Sequence, residues 1–316
     1  MEKLALLGGT PAIEQEPAEL FKWPILTQED YDAALDVISG NKFSGTDITE
    51  QFQTEFAAWQ GREYAIAYCN GTMALTSAMF AIGLGKGDEI ICPTKTYWGS
   101  VSQAINFGAS AVFCNINDML SMDPADIERC ITPKTKAIMV VHYFGYPADM
   151  DPIMEIARKY NLYVIEDVSH AQGGLYKGKK LGTFGRVSAM SLMSCKSFAI
   201  GEGGMLTTDD PEVFKRAVMF GHYDRIIDVC SDEEMKDMKN IPWGGLKNRM
   251  HQTSAAIGLA QLQKHDSEIA EIDRAMKYFW EGISDIPGLS MIYPEEEGSD
   301  KAGWYASRFH YDPAAF

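Results

Sequence analysis

Short apolar runs alternate with stretches of helical periodicity over most of this chain. The spacing predicts helices over 72–82, 98–107 and 150–160. The apolar runs predict strands over 64–68, 89–92, 111–114, 137–141, 162–165, 187–192 and 205–207. Such alternation is typical of parallel strands joined by crossover helices, so the sequence predicts an α/β fold with a mostly parallel sheet.

The C-terminal part of the chain carries a longer helical pattern, over 253–280. We interpret it as a link between a large domain, residues 1–250, and the start of a smaller one within 251–316. Only about 35 residues follow this pattern, fewer than a domain usually needs. We therefore expect the small C-terminal domain to be incomplete in this sequence.

Composition narrows the class of protein. With 316 residues, 46% of them hydrophobic, the chain can bury a substantial core. Its formal net charge of -16 argues against nucleic acid as a partner, because proteins that bind nucleic acid usually present a basic face. No apolar run is long enough to cross a membrane, and the N-terminal apolar stretch is too short for a signal peptide. These features predict a cytoplasmic globular protein.

The cysteines and histidines do not predict a metal site. The six cysteines show neither CxxC nor CxxxC spacing, and the six histidines form no HExxH motif or close pair. We interpret the cysteines as small residues of the core rather than as metal ligands or a disulfide framework.

A lysine and an aspartate stand at the ends of two predicted strands. Asp167 ends the run that begins near residue 162, and Lys196 follows the run at 187–192. Enzymes that use pyridoxal 5'-phosphate (PLP) need this pair, a lysine amine for a Schiff base with the aldehyde and a buried acid beside the ring nitrogen. The alternatives are a solvated surface lysine and a carboxylate that only terminates a strand.

A phosphate-bearing cofactor also needs an anion site. Asn70-Gly71-Thr72 lies where a predicted strand gives way to a helix, so free amides and the positive end of the helix dipole face an incoming phosphate. An ordinary helix N-cap would explain the same residues. The Ser191 hydroxyl is a further phosphate donor, although serines near strand ends often bond local backbone groups.

Two aromatic residues, Tyr97 and Trp98, follow the strand predicted at 89–92. One of their rings can stack on a pyridine ring at the carboxyl end of the sheet, although aromatic residues there often belong to the core. His170 follows Asp167 by three residues. Along the chain, the candidate phosphate site is therefore followed by an aromatic residue, then by the aspartate with its histidine, then by the serine and the lysine.

That order and several longer motifs resemble the DegT/DnrJ/StrS family of sugar aminotransferases, PLP enzymes of the aspartate aminotransferase fold (fold type I). The similarity covers nearly the whole chain. It is carried by the segments 6–11, 44–46, 70–75, 87–91, 141–150, 165–173, 195–204, 248–250 and 255–262.

The resemblance implies a role for each matching residue. Lys196 would hold PLP as a Schiff base and act as acid and base, and Asp167 would pair with the ring nitrogen. The other implied cofactor contacts are Gly71, Thr72 and Ser191 at the phosphate, Tyr97 on the ring face and His170 beside the ring. Members of the family are typically homodimers with shared active sites, so Lys247 and Asn248 would reach the partner's phosphate.

The implied reaction transfers an amino group from glutamate or glutamine to a keto-sugar or ketocyclitol. Residues 221–223 and the surroundings of Trp98 resemble the branch that acts on inosose-type ketocyclitols. Two alternatives stay open: a deoxysugar dehydratase, in which a histidine replaces the lysine, and a catalytically silent PLP-binding protein.

The chain departs from the family pattern at three places. Lys247-Asn248-Arg249 stands where relatives often have Asn-Tyr-Arg, and Lys95 occupies a position that is commonly aromatic. The family's small domain also extends well beyond residue 316. The first departure leaves open which of residues 247–249 crosses the interface, and the third places the activity of the chain as written in question.

Overall fold

A seven-stranded sheet forms the centre of the protein in this computed structural model, which describes residues 3–11, 13, 22–222, 225 and 246–315. The strands of the central sheet are β1 (Tyr64–Tyr68), β2 (Glu89–Pro93), β3 (Ser110–Cys114), β4 (Thr135–Val141), β5 (Tyr163–Asp167), β8 (Val187–Ser191) and β9 (Gly204–Thr208). Two small antiparallel pairs are formed by β6 (Leu175–Tyr176) with β7 (Lys179–Lys180) and by β10 (Leu289–Met291) with β11 (Phe309–Tyr311). The central order is β1-β9-β8-β5-β4-β2-β3, and only β9 runs antiparallel to its neighbours.

Helices pack on both faces of this sheet. They are α1 (Gln28–Ser39), α2 (Asp47–Gln60), α3 (Gly71–Ala81), α4 (Pro124–Cys130), α5 (Met150–Tyr160), α6 (Pro211–Gly221), α7 (Gln252–Leu262) and α8 (His265–Gly282). Side chains of β4 alternate between two hydrophobic clusters, with Ile138 and Val140 in one and Met139 in the other. A strand buried on both faces reads as a continuous apolar run, which is why the sequence revealed these strands clearly. The predicted α/β fold with a mostly parallel sheet is confirmed.

Two predicted helices differ from the structure. The segment 98–107 forms two short 3-10 helices, Trp98–Ser100 and Ser102–Phe107, instead of one α-helix. The long pattern over 253–280 is divided between α7 and α8. Lys264 lies at this break, and its ammonium contacts the Asp30 carboxylate of α1 at 2.6 Å. The domain boundary near residue 250 stays a prediction.

A segment beyond α8 returns to the sheet. Residues 301–305 lie against the chain just after Lys196, and Gly303 makes this approach possible. Its φ is +55°, and a Cβ built there would lie 2.4 Å from the Cβ of Ser197, so only glycine fits without a shift. The turn thus brings the C-terminal part of the chain to the carboxyl ends of the strands.

Within the described ranges, no helix combines the length and the apolar character that crossing a bilayer requires. The cytoplasmic location stays a prediction.

Candidate active site

A cavity of about 440 Å³ opens at the carboxyl ends of the central strands. Open α/β sheets usually bind their ligands at this edge. Seven of the nine residues predicted to form the site line it: Gly71, Thr72, Tyr97, Asp167, His170, Ser191 and Lys196. A larger cavity of about 590 Å³ lies between α2, β1 and α6 and is lined by none of these seven.

Asp167 is the last residue of β5, and its side chain faces this cavity with only 4% of its surface exposed. Ser100 Oγ donates to one carboxylate oxygen at 2.6 Å, and the Ser169 backbone N–H donates to the other at 3.0 Å. Both hydrogen bonds fix the orientation of the carboxylate. Each oxygen keeps further capacity to accept a hydrogen bond from a group in the cavity.

Lys196 lies in the loop between β8 and β9 and is 7% exposed. Burial lowers the pKa of its amine, and the electrostatic interactions with Cys195 and Asp167 act in the opposite direction. Its Nζ lies 4.4 Å from the centre of the Tyr305 ring. The lysine and the aspartate therefore line the same cavity. Their predicted roles toward PLP stay predictions.

The N-terminal end of α3 forms another wall. Asn70 caps the helix, because its side chain accepts a hydrogen bond from Met73 N at 2.9 Å. At Gly71, a Cβ would lie 2.6 Å from the Ser191 Cα, so glycine lets the helix approach β8 closely. The N-cap explanation of Asn70 is therefore correct, and the cap still leaves the first amides of α3 at the cavity.

Ser191 shows the local bonding that the sequence left open. Its hydroxyl accepts a hydrogen bond from Met193 N at 3.3 Å, and its backbone N–H donates to Ser169 Oγ at 2.9 Å. The hydroxyl hydrogen is not used by these two contacts. Ser191 can therefore bond its own backbone and still donate into the cavity.

Tyr97 and His170 both line the cavity but differ in exposure. Tyr97 is more than half exposed, and Gly99 gives its ring room because a Cβ there would lie 2.8 Å from it. His170 Nδ1 accepts a hydrogen bond from Phe144 N at 3.3 Å. Burial, helped by the charges of Lys196 and Lys301, lowers the pKa of His170 to about 3, so its ring is neutral at pH 7.

Lys247 and Asn248 lie outside this lining. Asn248 instead contacts the end of α6 and the residue after β1: its N–H donates to Gly221 O and its carbonyl accepts from Cys69 N, both at 2.8 Å. The side-chain nitrogen of Asn248 is buried with no hydrogen-bond partner among the described residues. Their predicted contact with a partner's phosphate stays a prediction. Tyr223, from the segment that resembles the inosose branch, lies outside the described residues.

Several residues in or beside the site were not found from the sequence, and Tyr305, Ser100 and Lys301 are among them. Tyr305 stacks on His170 with ring centres 3.9 Å apart, and Ser100 bonds Asp167. The buried ammonium of Lys301 donates to Ala306 O at 2.9 Å and to the Phe144 carbonyl. Burial, with the nearby charge of Arg308, lowers the pKa of Lys301 to about 7. Tyr305 and Lys301 come from the returning C-terminal segment, more than a hundred residues from the motifs.

Glu166 points away from the cavity, since neighbouring residues of a strand face opposite sides of the sheet. It is fully buried and accepts hydrogen bonds from His142 Nε2 and from the backbone amides of Gly182, Phe184 and Gly185, at 2.6–3.1 Å. Burial raises its pKa, but the hydrogen bonds from His142 and from the backbone amides outweigh that effect, so the pKa of Glu166 is lowered. Glu166 therefore stabilises the fold rather than serving the site.

We expect Glu166→Gln to lower the free energy of unfolding at pH 7 by about 2–4 kcal/mol. The amide nitrogen of glutamine cannot accept the hydrogen bond that Gly182 N makes with one carboxylate oxygen. A group whose pKa is lowered by folding stabilises the fold above its unfolded pKa, and this contribution is lost as the pH falls through the folded value. Denaturant unfolding should therefore show a difference in the free energy of unfolding between wild type and variant, and this difference should become smaller below pH 4.5. Equal stabilities at pH 7 would contradict this role.

The groups around the cavity match the parts of PLP. A carboxylate held by two hydrogen bonds suits the ring nitrogen, and a buried amine suits the aldehyde. The close approach at Gly71 places the positive end of α3 against Ser191, as a phosphate requires. The cavity volume lies in the range of small-molecule sites.

Known proteins are similar to this chain in sequence and in fold. The chain is 40% identical over 265 residues to GDP-perosamine synthase of Escherichia coli O157:H7, an alignment that covers 82% of this chain and 68% of that protein. It is 31% identical over 327 aligned positions to a protein of Micromonospora echinospora named "Putative L-glutamine:3-amino-2,3-dideoxy-scyllo-inosose aminotransferase", with 100% of this chain and 74% of that protein covered.

Among solved structures, 3-amino-5-hydroxybenzoic acid synthase superposes with a TM-score of 0.82 at 28% identity, covering 91% of this chain and 74% of that one. The family match includes the strands, the turn before α3 and the loop that carries Lys196, and it extends over residues 24–313. The chain belongs to the DegT/DnrJ/EryC1/StrS aminotransferase family.

Proposed function

We propose that this protein is a PLP-dependent aminotransferase that takes an amino group from glutamate or glutamine and delivers it to a ketone carbon of a sugar or cyclitol. The observation that carries the proposal is that Lys196, Asp167 and the N-terminal end of α3 line one cavity. Family membership supports the reaction class, and the names of the two relatives support a sugar or cyclitol acceptor. The Micromonospora name also gives L-glutamine as the donor.

The phosphate of PLP would be held at the start of α3. Gly71 and Thr72 offer the first amides of the helix, and the hydroxyls of Thr72 and Ser191 add donors from two directions. The partial positive charge of the helix end favours a dianion at this position. These groups would fix one end of the cofactor without taking part in proton transfer.

Tyr97 and Asp167 would hold the ring of PLP. Bound PLP supplies an electron-accepting ring that stabilises negative charge on the substrate carbon. The Asp167 carboxylate would accept a hydrogen bond from the ring nitrogen and, by its charge, keep that nitrogen protonated. His170 is neutral, and with Nδ1 taken by Phe144 N it can offer an Nε2–H beside the ring.

Lys196 would be both the point of attachment and the group that moves the proton. Burial lowers the pKa of its amine, which increases the neutral fraction that can accept a proton at Nζ. Nζ would take the proton from the substrate carbon that carries the amino group and return it to the cofactor carbon on the other side of that nitrogen. The other half-reaction uses the same atom in the reverse direction.

The active protein would be a homodimer. Tyr97 and Trp98 are 57% and 68% exposed beside the cavity, and large exposed aromatic side chains at one place favour an interface. Lys247 and Asn248 lie outside the cavity of their own chain, which suits a contact with the partner's phosphate. Which of residues 247–249 makes that contact is decided by substitution in the assembled dimer.

A dehydratase is the less favoured reaction. Related dehydratases have histidine in place of the lysine, so that the amine cannot be recaptured at that position, whereas this chain has Lys196. The retained amine supports transamination.

The absorption spectrum of the PLP-loaded protein tests the proposal. We expect the long-wavelength band of the cofactor to be lost on adding L-glutamate or L-glutamine and to return on adding an acceptor ketone. Alanine at matched concentration serves as the control for donor selectivity. A band that neither donor changes would show a silent PLP-binding protein instead.

A further inference from the structure

Two cations contact the ring of Phe144. Phe144 is 9% exposed and lines the cavity. The Lys95 ammonium lies 5.9 Å from the centre of its ring, and the Arg308 guanidinium carbon lies 4.3 Å from the same centre. Lys95 follows β2 and Arg308 precedes β11, so the fold brings two distant parts of the chain together at this ring.

Neither cation has a carboxylate partner among the residues that the structure describes. Besides its contact with the Phe144 ring, Arg308 donates a hydrogen bond to the neighbouring Ser307 carbonyl at 3.4 Å, and Lys95 contacts the same ring. Other surface cations, such as Lys159 and Lys177, are paired with carboxylates at 2.6–2.7 Å. In a chain with a formal net charge of -16, two accessible positive charges without a counter-charge mark a place for an anion.

The remaining cations beside the cavity are already occupied. Lys196 is the reactive amine of the proposed function. Lys301 is buried, and its ammonium donates to the carbonyls of Phe144 and Ala306. Within the described part of the chain, Lys95 and Arg308 are therefore the cations near the cavity that an incoming ligand can still reach.

The lining residues connect these cations to the cavity. Thr96 and Tyr97, which follow Lys95, line it, and so does Tyr305, three residues before Arg308. A small anion bound by these two cations would thus lie next to residues that line the cavity. Lysine and arginine recognise carboxylates and phosphates through charge-assisted hydrogen bonds.

We propose that Lys95 and Arg308 form an anion subsite at the mouth of the cavity and bind a carboxylate or phosphate group of a substrate. This inference rests on the proposed function, which supplies two sources of such a group. One is a carboxylate of the amino donor, and the other is the diphosphate of a nucleotide-linked sugar.

Direct binding to the PLP-loaded protein tests the subsite. Glutarate has the two carboxylates of glutamate without its amine, and inorganic pyrophosphate represents the diphosphate, so neither probe can react. We expect calorimetry to show that Lys95→Met and Arg308→Met each lower the affinity for at least one of the two probes about tenfold. Lys95→Arg and Arg308→Lys keep the charge and should stay within about threefold of wild type.

The controls separate a local contact from a general charge effect. Lys134 is exposed and distant in sequence from the site, so Lys134→Met removes one positive charge elsewhere and should leave both affinities unchanged. Cofactor absorbance and thermal unfolding show whether each variant retains its fold. The Lys95 variants keep the test valid if loss of Arg308 disturbs the packing on Phe144.

The outcomes identify the source of the anion or end the proposal. If the Lys95→Met and Arg308→Met variants bind glutarate more weakly than wild type, the subsite serves the amino donor. If they bind pyrophosphate more weakly, it serves a nucleotide-linked acceptor. The subsite is disproved if wild type binds neither probe, or if the Lys95 and Arg308 substitutions change affinity no more than Lys134→Met. Failure of the proposed function is seen separately, as a wild-type spectrum that donors leave unchanged.

Discussion

Lys196→Ala is expected to abolish the covalent attachment of PLP and to lower the rate of amino transfer about a thousandfold or more. The cavity would still bind the cofactor, because the N-terminal end of α3, Ser191 and Asp167 are untouched. Borohydride should therefore fix PLP to the wild-type protein and not to the variant. Mass spectrometry of the reduced proteins and turnover with saturating donor measure both effects.

Two controls show whether the loss comes from the amine itself. Lys134→Ala removes an exposed lysine outside the cavity and should leave the reducible linkage and the rate unchanged. A small primary amine added to the Lys196 variant should restore part of the rate, because it can occupy the vacated space and carry the proton. A wild-type level of reducible linkage in Lys196→Ala would show that another amine holds the cofactor.

The sequence predicted the sheet well and the connections less well. Strands such as β4 are buried on both faces, so burial leaves an apolar run that periodicity detects. The segment 98–107 carries helical spacing but forms two 3-10 helices, a difference that short segments rarely reveal in sequence. The break between α7 and α8 is likewise invisible because apolar spacing continues through both helices.

Some residues of the site could be predicted from the sequence and others could not. Residues at strand ends and helix starts were predictable, because chain geometry alone brings Gly71, Asp167 and Lys196 to one edge of the sheet. Tyr305 and Lys301 were not, since their positions depend on a tertiary return of the chain that leaves no local pattern. A faint signal existed in Gly303, a glycine before two aromatic residues, but nothing in the sequence says what it packs against.

The pair Glu166 and Asp167 shows what alternation along a strand decides. Two adjacent carboxylates look equivalent in the sequence, yet one belongs to the fold and the other to the cavity. Glu166 is surrounded by donors from His142 and the backbone, whereas Asp167 keeps capacity for a ligand. A substitution at Glu166 should therefore mainly lower stability, whereas a substitution at Asp167 should mainly lower the rate of turnover.

Asp167→Asn is expected to keep the fold and to lower kcat about a hundredfold or more. Asparagine can still accept from Ser169 N, and its amide can donate to Ser100 Oγ once that hydroxyl turns, so the local hydrogen bonds survive. What is lost is the negative charge, without which the ring nitrogen is no longer held protonated. Single-turnover spectra with L-glutamate measure the slower loss of the cofactor band.

Ser100→Ala is the matched comparison for this effect, because it removes a hydrogen bond from Asp167 but leaves the charge in place. Its rate should fall by less than about tenfold, the cost of one hydrogen bond to a charged group. Thermal unfolding of both variants should stay close to wild type, in contrast to Glu166→Gln. If Asp167→Asn reacts as fast as wild type, a different acid faces the ring nitrogen. If Asp167→Asn and Ser100→Ala lose the same fraction of the rate, Asp167 contributes through its orientation rather than its charge.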